Sequence, residues 1–489
     1  MSDEKAHTRQ EDDIAGKRLL GSVEDDDVVF PNNTTKRFLL LAFVIFVYFF
    51  SYGTSVPVIS FYVFDKVSSR YPYNLSSSSP CIIGNSTDLN STAENIVQKA
   101  VANKYLMLNL VWLLPSLIPI LFLGPFIDRS GRKKALLIPM AGTLMKQIVV
   151  IVVVRLSLPV DLLAIANFLE GICGGFGTVL MIAFGMVADL TPRGKTRTLR
   201  ITVIETCNAI SVSISTVSIG IWLRNHDSYK SPVYFHAIIV GIVLSIFVIT
   251  VTCLFVRETL QRKVSSSWCE AVKNVRKCFT FYTTDTDDRR RWKILVGISV
   301  FILVMSVNFS HQDVLSMFLM RRPLCWHELH VTAFMSVYIF ASSLVSLVTL
   351  KIVQRWLNLE DRHVALAGSV SSMLSMLILA FAWEDWLVYM SSVVGLLIRV
   401  IIPMTRSVMS SVVRQDEQGA LFAGMGCIEI TFPVVMGSLS TLLYKATEQI
   451  RVGVVFLVLS GVMFVVLILY IFLNIRISRQ HRHGYQAIN

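Results

Sequence analysis

Eight ionisable side chains lie inside long apolar stretches of this 489-residue chain. They are Lys146, Glu170, Glu205, His311, Asp313, Arg399, Arg406 and Glu429. Removing an ionised group from water is expensive, so such residues mark functional sites by default. A single one can serve as half of a structural ion pair. A set that brings both signs from both halves of the chain indicates proton exchange and anion binding instead.

Two of these residues have the geometry of an anion-binding element. Arg399 and Arg406 are seven residues apart, which places them on one face of a helix, two turns apart. Pro403 lies between them and is expected to kink that helix. A guanidinium near the middle of a membrane can hold a carboxylate or a sulfate through two parallel hydrogen bonds. Arg399, Arg406 and Glu170 are therefore the candidate substrate-binding residues.

The candidate proton-coupling residues are Glu205, His311, Asp313 and Glu429. Histidine changes its charge near neutral pH, and a buried carboxylate avoids the cost of its charge by taking up a proton. The coupling ion is then the proton, and no cofactor is predicted. We find no metal-ligand cluster, no nucleophile with a base, and no G-x-x-x-x-G-K-[ST] phosphate loop. The chain is expected to be neither an enzyme nor an ATP-driven pump.

The elements that position these residues are membrane-spanning helices. The sequence is 54% hydrophobic, and apolar runs of about 20 residues mark transmembrane helices. No alternating ten-residue segments suggest a membrane β-barrel. Twelve spans are predicted: 38–64, 104–127, 135–155, 161–188, 199–223, 233–256, 293–320, 332–354, 363–383, 387–409, 419–444 and 450–475. The predicted fold is an all-α membrane protein with two six-helix bundles.

The net charge of +12 does not indicate nucleic-acid binding, because the basic residues follow the predicted membrane topology. Basic residues cluster in alternate connections, such as Arg129–Lys134, Arg193–Arg200 and Arg257–Arg291, and again in the tail from Arg476. Connections rich in Lys and Arg stay on the cytoplasmic side. Twelve spans then put both termini in the cytoplasm, and the protein is expected to be a monomer in the lipid bilayer.

The connections divide the chain into five parts. An acidic cytoplasmic N-tail (1–36) is expected to be disordered, and a first bundle (37–256) carries an outside loop at 65–103. A cytoplasmic linker (257–292) joins it to a second bundle (293–475), and a short tail (476–489) follows.

The outside loop carries the signature of the secretory pathway. It contains three N-x-[ST] glycosylation sequons, at Asn74, Asn85 and Asn90. Of the eight cysteines, only Cys81 and Cys325 fall in outside loops, and two cysteines in an oxidising compartment are expected to pair. This disulfide would join loops from the two halves.

A short basic turn between the second and third spans is the most specific motif. Residues 124–134 read G-P-F-I-D-R-S-G-R-K-K, with one acid among four basic residues. A turn that serves only topology needs no acid. The turn resembles the gate loop of the major facilitator superfamily, and the resemblance implies that Asp128, Arg129, Gly131 and Arg132 act in a cytoplasmic gate.

Further strings resemble the proton-coupled folate transporter family, solute carrier family 46. They are P-L-C-W at 323–326, I-P-M-T-R at 402–406, R-Q-D-E-Q-G-A-L-F at 414–422, and R-T-L-R at 197–200 with Glu205 after it. The resemblance implies proton-driven symport of organic anions. It also implies that Glu205 couples protons, that Asp313 is a polar helix residue, that Arg406 serves coupling or substrate binding, and that Cys81 pairs with Cys325.

The chain departs from the folate carrier's pattern at Asn167, Gly175 and Asn308. These departures favour the family's lysosomal branch, whose substrates are steroid conjugates, bile acids and bacterial peptide fragments, over a folate-like substrate. The tail string G-Y-Q-A-I places Tyr485 and Ile488 in a Y-x-x-φ sorting signal, where φ is a bulky apolar residue read by clathrin adaptors. A lysosomal membrane is therefore favoured over the plasma membrane. The alternatives are folate uptake at the cell surface and a transport-inactive receptor or scaffold.

Overall fold

The computed structural model describes residues 33–70, 100–101, 103–120, 131–192, 195–225, 231–259, 290–320, 324–326, 328–352, 361–413, 418–447 and 453–486. Within these ranges the regular structure is entirely helical. Asp128, Arg129, Cys81 and the three predicted glycosylation sites lie outside these ranges.

The first half of the chain forms six helical segments. They are α1 (Thr34–Ser68), α2 (103–120), α3 (Arg132–Arg155), α4 in two pieces (α4a, Leu163–Ile172, and α4b, Gly175–Leu190), α5 (Lys195–Asn225) and α6 (Ser231–Phe255). A 3₁₀ turn at Val160–Leu162 leads into α4a.

The second half forms six more. They are α7 (Arg290–Leu319), α8 (Glu328–Ile352), α9 (Asp361–Ala380), α10 in two pieces (α10a, Asp385–Val394, and α10b, Ile401–Val412), α11 (Gln418–Thr447) and α12 (Val454–Gln486).

Most helices extend beyond the apolar runs that predicted them. The first begins at Thr34 and not at residue 38, and the last continues to Gln486 and not to residue 475. The N-tail therefore ends earlier than predicted, and Tyr485 of the sorting string lies in α12. A hydropathy window detects the hydrocarbon core alone, whereas backbone hydrogen bonds continue through the interface.

Eleven of the described helices are long and apolar enough to cross a membrane. Large apolar side chains such as Phe43, Val243 and Leu254 are exposed on their outer faces. Such faces suit a lipid environment, where the solvent is as apolar as the side chains. Residues 103–120 are not among the eleven, and the rest of that predicted span lies beyond the described part.

Two glycines interrupt the fourth span. Gly174 and Gly175 have φ angles of 97° and 60° and separate α4a from α4b. Positive φ is accessible to glycine without the steric cost that a Cβ brings. The span is therefore broken at its middle.

The tenth span is also interrupted, and its proline accounts for the place. Residues Gly395–Val400 form a 3₁₀ stretch between α10a and α10b. Proline has no N–H to bond the carbonyl four residues before it, and its ring crowds that carbonyl. For Pro403 this carbonyl belongs to Arg399, so the distortion falls on the segment that carries a candidate substrate-binding residue.

The two halves repeat one packing pattern. In the first half, α1 packs on α5 and α6, and α3 packs on α6. In the second half, α7 packs on α11 and α12, and α9 packs on α12. The shared pattern is that of two structural repeats, which position a site where they meet.

The halves meet through α4b, α5, α8, α10b and α11. Some of these contacts lie at the end of the molecule that carries Gly131, which we call the gate end. There the guanidinium Nη1 of Arg197 lies 3.2 Å from Ser410 Oγ, and the hydroxyls of Thr198 and Ser407 are 2.5 Å apart. These bonds join α5 of one half to α10b of the other and close the gate end.

The position of α5 depends on one close helix crossing. A Cβ built on Gly53 of α1 would lie 2.0 Å from Ser215 Oγ and 3.3 Å from the Val212 Cα, both on α5. Small residues let membrane helices approach this closely. By contrast, a Cβ on Gly220, further along α5, meets no atom within 4 Å.

We expect Gly53→Ala to destabilise the protein by about 1–3 kcal/mol, as overpacking does elsewhere. Gly220→Ala is the matched control and should leave stability unchanged or slightly raised, because alanine favours helix. Thermal unfolding of both variants in detergent measures the difference. Equal melting temperatures would show that the crossing tolerates a methyl group.

Candidate functional site

A buried arginine at the interface between the halves organises the candidate site. Arg406 of α10b has no exposed surface. Its Nη1 lies 2.5 Å from Glu205 Oε1 on α5, and its Nη2 lies 2.5 Å from Glu429 Oε1 on α11. One guanidinium therefore joins a carboxylate from each half of the molecule.

The two contacts of Arg406 differ in kind. Nη2 donates a hydrogen bond to Glu429, whereas Nη1 and Glu205 are in ionic contact without the alignment of a hydrogen bond. The Arg406 Nε has no hydrogen-bond partner among the described residues. The Glu205 side chain keeps 19% of its surface exposed. Glu205 is thus the more accessible of the two acids and the more easily displaced.

Aromatic rings complete the surroundings of this guanidinium. Its carbon lies 4.2 Å from the ring centre of Phe184 on α4b and 5.3 Å from that of Phe301 on α7. The face of an aromatic ring attracts a cation, most strongly where water is absent. Each half contributes one ring, as each contributes one acid.

Arg399 lies in the 3₁₀ stretch that precedes α10b, without an acid in contact among the described residues. Among the described residues it has neither an ion pair nor a hydrogen bond. Tyr338 and Glu205 lie within range of electrostatic interaction, and the Tyr338 hydroxyl donates a hydrogen bond to the Gly395 carbonyl at 3.2 Å. Arg399 is therefore the guanidinium available to an anion.

The two predicted titrating residues of α7 have contrasting environments. His311 is buried, and its ring meets those of Tyr338 and Phe456 edge-on, at 6.1 and 6.4 Å. Its Nε2 has no hydrogen-bond partner in the described part of the chain. Asp313 is exposed, and its carboxylate lies against Gly437 of α11. Of these two residues, His311 lies within range of electrostatic interaction with Arg399.

Glu170 lies in a second polar cluster inside the first half. Its carboxylate accepts a hydrogen bond from Lys146 Nζ at 2.8 Å, and Thr143 Oγ1 lies 3.4 Å away. The Lys146 ammonium also lies 5.5 Å from the ring centre of Tyr52. Glu170, predicted to contact substrate, is thus ion-paired with Lys146 of α3.

The predicted gate residues that are described lie at the start of α3. Gly131 has a φ of 112° and precedes the helix. Arg132 is almost fully buried and forms an ion pair with Asp189 at the end of α4b, with Nη2 3.1 Å from Oδ1. The hydroxyl of Thr259 donates to the same carboxylate at 3.0 Å.

Glu258, which the sequence did not reveal, contacts the predicted gate residues. Its carboxylate accepts hydrogen bonds from the backbone N–H groups of Arg132, at 2.7 Å, and Lys133, at 3.2 Å. An acid at a helix N-terminus satisfies free N–H groups and complements the helix dipole. Residues 257–259, assigned to a linker, therefore pack with the predicted gate residues.

Sequence reasoning also missed Asp189. An acid at the end of a span is read as an interface residue, and neither Asp189 nor Glu258 belongs to a local motif. The only available signal was the surplus of basic residues in the 129–134 turn, which calls for acids from elsewhere.

The remaining predicted sites are only partly described. Cys325 is disulfide-bonded, while Cys81, its predicted partner, lies outside the described residues, as do Asn74, Asn85, Asn90 and Ile488. Within the described ranges, no three His, Cys, Asp or Glu side chains are grouped to hold a metal ion.

Two solved structures share this fold. The human organic anion transporter MFSD10 superposes with a TM-score of 0.66 at 13% identity, covering 90% of this chain and 100% of that one. The Escherichia coli fucose:proton symporter FucP gives 0.59 at 13% identity, covering 90% and 99%.

Curated relatives match along most of the chain. The lysosomal proton-coupled steroid conjugate and bile acid symporter SLC46A3 of Gallus gallus is 26% identical, over 84% of this chain and 89% of its own length. The proton-coupled folate transporter of Bos taurus is 27% identical, over 84% and 87%. Both are transporters of the kind that the sequence motifs resemble.

The profile of the Major Facilitator Superfamily matches residues 41–358. This match covers more than half of the chain and includes both the gate and α5. With eleven helices able to cross a membrane, the chain is a multi-pass membrane protein that belongs to the Major Facilitator Superfamily.

Proposed function

We propose that this protein is a proton-coupled symporter of amphipathic organic anions, which it exports from the lysosome to the cytosol by alternating access. The observation that carries the proposal is Arg406, held between Glu205 of one half and Glu429 of the other. Relatives named as proton-coupled symporters of steroid conjugates, bile acids and folate support the substrate class.

The topology of the proposal follows from the charge distribution. Twelve spans with both termini in the cytoplasm put the gate end on the cytoplasmic side. The structure, closed at that end, then corresponds to a state that faces the lumen. The coupling ion is the proton, no cofactor is required, and the Y-x-x-φ string around Tyr485 would recruit a clathrin adaptor.

The charges of the site explain why protons and anions would move together. When ionised, Arg399, Arg406, Glu205 and Glu429 sum to zero. An anion that binds Arg399 adds a negative charge, which is costly in a poorly hydrated site. A proton on Glu205 restores the balance and also weakens the ionic contact with Arg406. The same proton therefore accommodates the substrate and loosens one link between the halves.

Folate uptake at the plasma membrane is a second candidate, because a folate transporter is among the relatives. A transport-inactive receptor is less consistent with an intact Arg132–Asp189 pair and an acid–arginine–acid link between the halves.

The gate residues should affect turnover and not binding. Arg132→Ala or Asp128→Asn is expected to slow uptake by about tenfold, the effect of losing about 1.4 kcal/mol of stabilisation in one conformational state. The exposed neighbour variant Lys134→Ala is the matched control. Uptake of a labelled steroid sulfate into proteoliposomes measures turnover, and thermal stabilisation by the same ligand measures binding. Loss of binding in a folded Arg132→Ala protein would contradict this role.

The coupling role of Glu205 is tested by Glu205→Gln, which mimics the protonated acid. Net uptake should lose its dependence on pH, whereas exchange of internal for external substrate should persist, because exchange needs no net proton movement. Glu429→Gln provides the comparison on the other side of Arg406. If Glu205→Gln keeps the wild-type pH dependence while Glu429→Gln loses it, the proton carrier is Glu429.

Loss of Arg399 and loss of Arg406 should have different effects on ligand binding and on stability. Arg399→Ala is expected to weaken binding of a carboxylate or sulfate ligand by about 2–5 kcal/mol and to spare a neutral analogue. Arg406→Ala should in addition lower the melting temperature, because it leaves two buried carboxylates without their partner. Lysine should restore only part of a contact made by two N–H groups. Equal losses for charged and neutral ligands would show that Arg399 stabilises the helices and does not recognise the anion.

A further inference from the structure

A cavity of about 260 Å³ lies at the gate end, away from the Arg406 site. It is formed by the start of α1, the end of α4b and the segment that follows α6. Lys36, Arg37 and Arg257 line it, together with the hydroxyl-bearing Thr259 and apolar residues such as Leu40 and Phe255. Its volume is far larger than a single water molecule requires.

The cations of this cavity are not neutralised. Lys36, Arg37 and Arg257 have no ion pair among the described residues. The neighbouring Arg132 is paired with Asp189 instead. Three positive charges around one concave surface, with no acid in contact within the described part of the chain, form a site complementary to a multivalent anion.

The surroundings of the cavity are those of a membrane interface. On α1, Leu39 and Phe43 are 59% and 48% exposed, and on α6, Leu254 and Phe255 are 70% and 62% exposed. These side chains lie close in sequence to Lys36, Arg37 and Arg257. Apolar faces of this extent on a membrane helix are covered by lipid chains, so the basic cavity adjoins a surface that holds acyl chains.

We propose that this cavity binds the phosphorylated headgroup of an anionic lipid, whose acyl chains lie along α1 and α6. Basic pockets between transmembrane helices on the cytoplasmic side bind such headgroups. The choice of the cytosolic leaflet rests on the topology given under the proposed function. The binding itself depends only on the cavity.

The lipid would act on the gate through the wall of the cavity. Thr259 lines the cavity and donates a hydrogen bond to Asp189, the partner of Arg132. Arg257 and Thr259 flank Glu258, which caps α3. A headgroup held by Arg257 would fix this segment against α3 and stabilise the closed gate end.

The test is lipid retention by the full-length protein in phosphatidylcholine nanodiscs with or without phosphatidylinositol phosphate, measured by native mass spectrometry. We expect one phosphatidylinositol phosphate per protein. The variant Lys36→Gln/Arg37→Gln/Arg257→Gln should bind about 100-fold more weakly, since each charge near an anionic surface contributes about fivefold. The matched control removes three charges from the second half, as Lys293→Gln/Lys351→Gln/Arg476→Gln, and should retain the lipid.

Three results would overturn the proposal. The first is equal lipid retention by the triple variant and its control. If the triple variant does not fold, equal retention by Arg257→Gln and the control is the corresponding result. The second is displacement of the lipid by free inositol phosphate at equal concentration, which would assign the site to a soluble ligand. The third concerns the acidic N-tail: if Asp25–Asp27→Asn exposes Lys36 to an amine label in lipid-free detergent, the tail is the occupant. None of these measurements requires transport, so they stand apart from the proposed symport.

Discussion

The arrangement of the interface depends on one constraint: a guanidinium with no access to water must have its charge balanced. Arg406 is fully buried, and an isolated charge in such a place costs several kcal/mol. Here the balance comes from Glu205, Glu429 and the rings of Phe184 and Phe301. Because these partners come from both halves, the electrostatic requirement of a single residue holds the two repeats together.

This constraint also gives the site a means of changing state. Glu429 is bound to Arg406 by an aligned hydrogen bond, whereas Glu205 makes only an ionic contact and remains partly exposed. Truncating one partner of a buried ion pair is costly because the other charge is left behind. In the proposed mechanism, a substrate anion avoids that cost, since it supplies a negative charge as Glu205 loses its own by protonation. Arg399, which has no acid in contact, offers the place where such an anion would first bind.

The sequence predicted the parts of this structure that depend on local composition. Apolar runs located the helices because hydrocarbon imposes length and polarity on each segment independently. Arg132 and Arg197, which are buried, were assigned to connections, and Asp313 is exposed. The other charges inside the apolar runs were found, since each stands out there. Their pairing was not, because the partners of Arg406 come from α5 and α11 and that of Glu170 from α3. Which helices face each other is a property of packing, and no spacing along one segment encodes it.

The same limit explains the gate. The 129–134 turn was recognisable as a motif, but its two acidic partners, Asp189 and Glu258, come from the end of α4b and from the segment after α6. Of the two helix breaks, the sequence predicted one. Pro403 predicted a distortion in the tenth span, and the 3₁₀ stretch at Gly395–Val400 precedes it. The break at Gly174 and Gly175 was not predicted, because a glycine in an apolar helix gives the same sequence signal whether it is helical or at positive φ.

The site and the closed end are parts of the same two helices, and their spacing has a mechanical consequence. On α5, Thr198 of the closed end is seven residues from Glu205, a rise of about 10 Å along a rigid helix. On α10b, Ser407 adjoins Arg406 in sequence, and its hydroxyl meets that of Thr198. A displacement of α5 against α10b at Glu205 would therefore also move Thr198 relative to Ser407. In the proposed mechanism, protonation in the site and opening of the gate end would then be one motion of α5 against α10b, without a longer pathway between them.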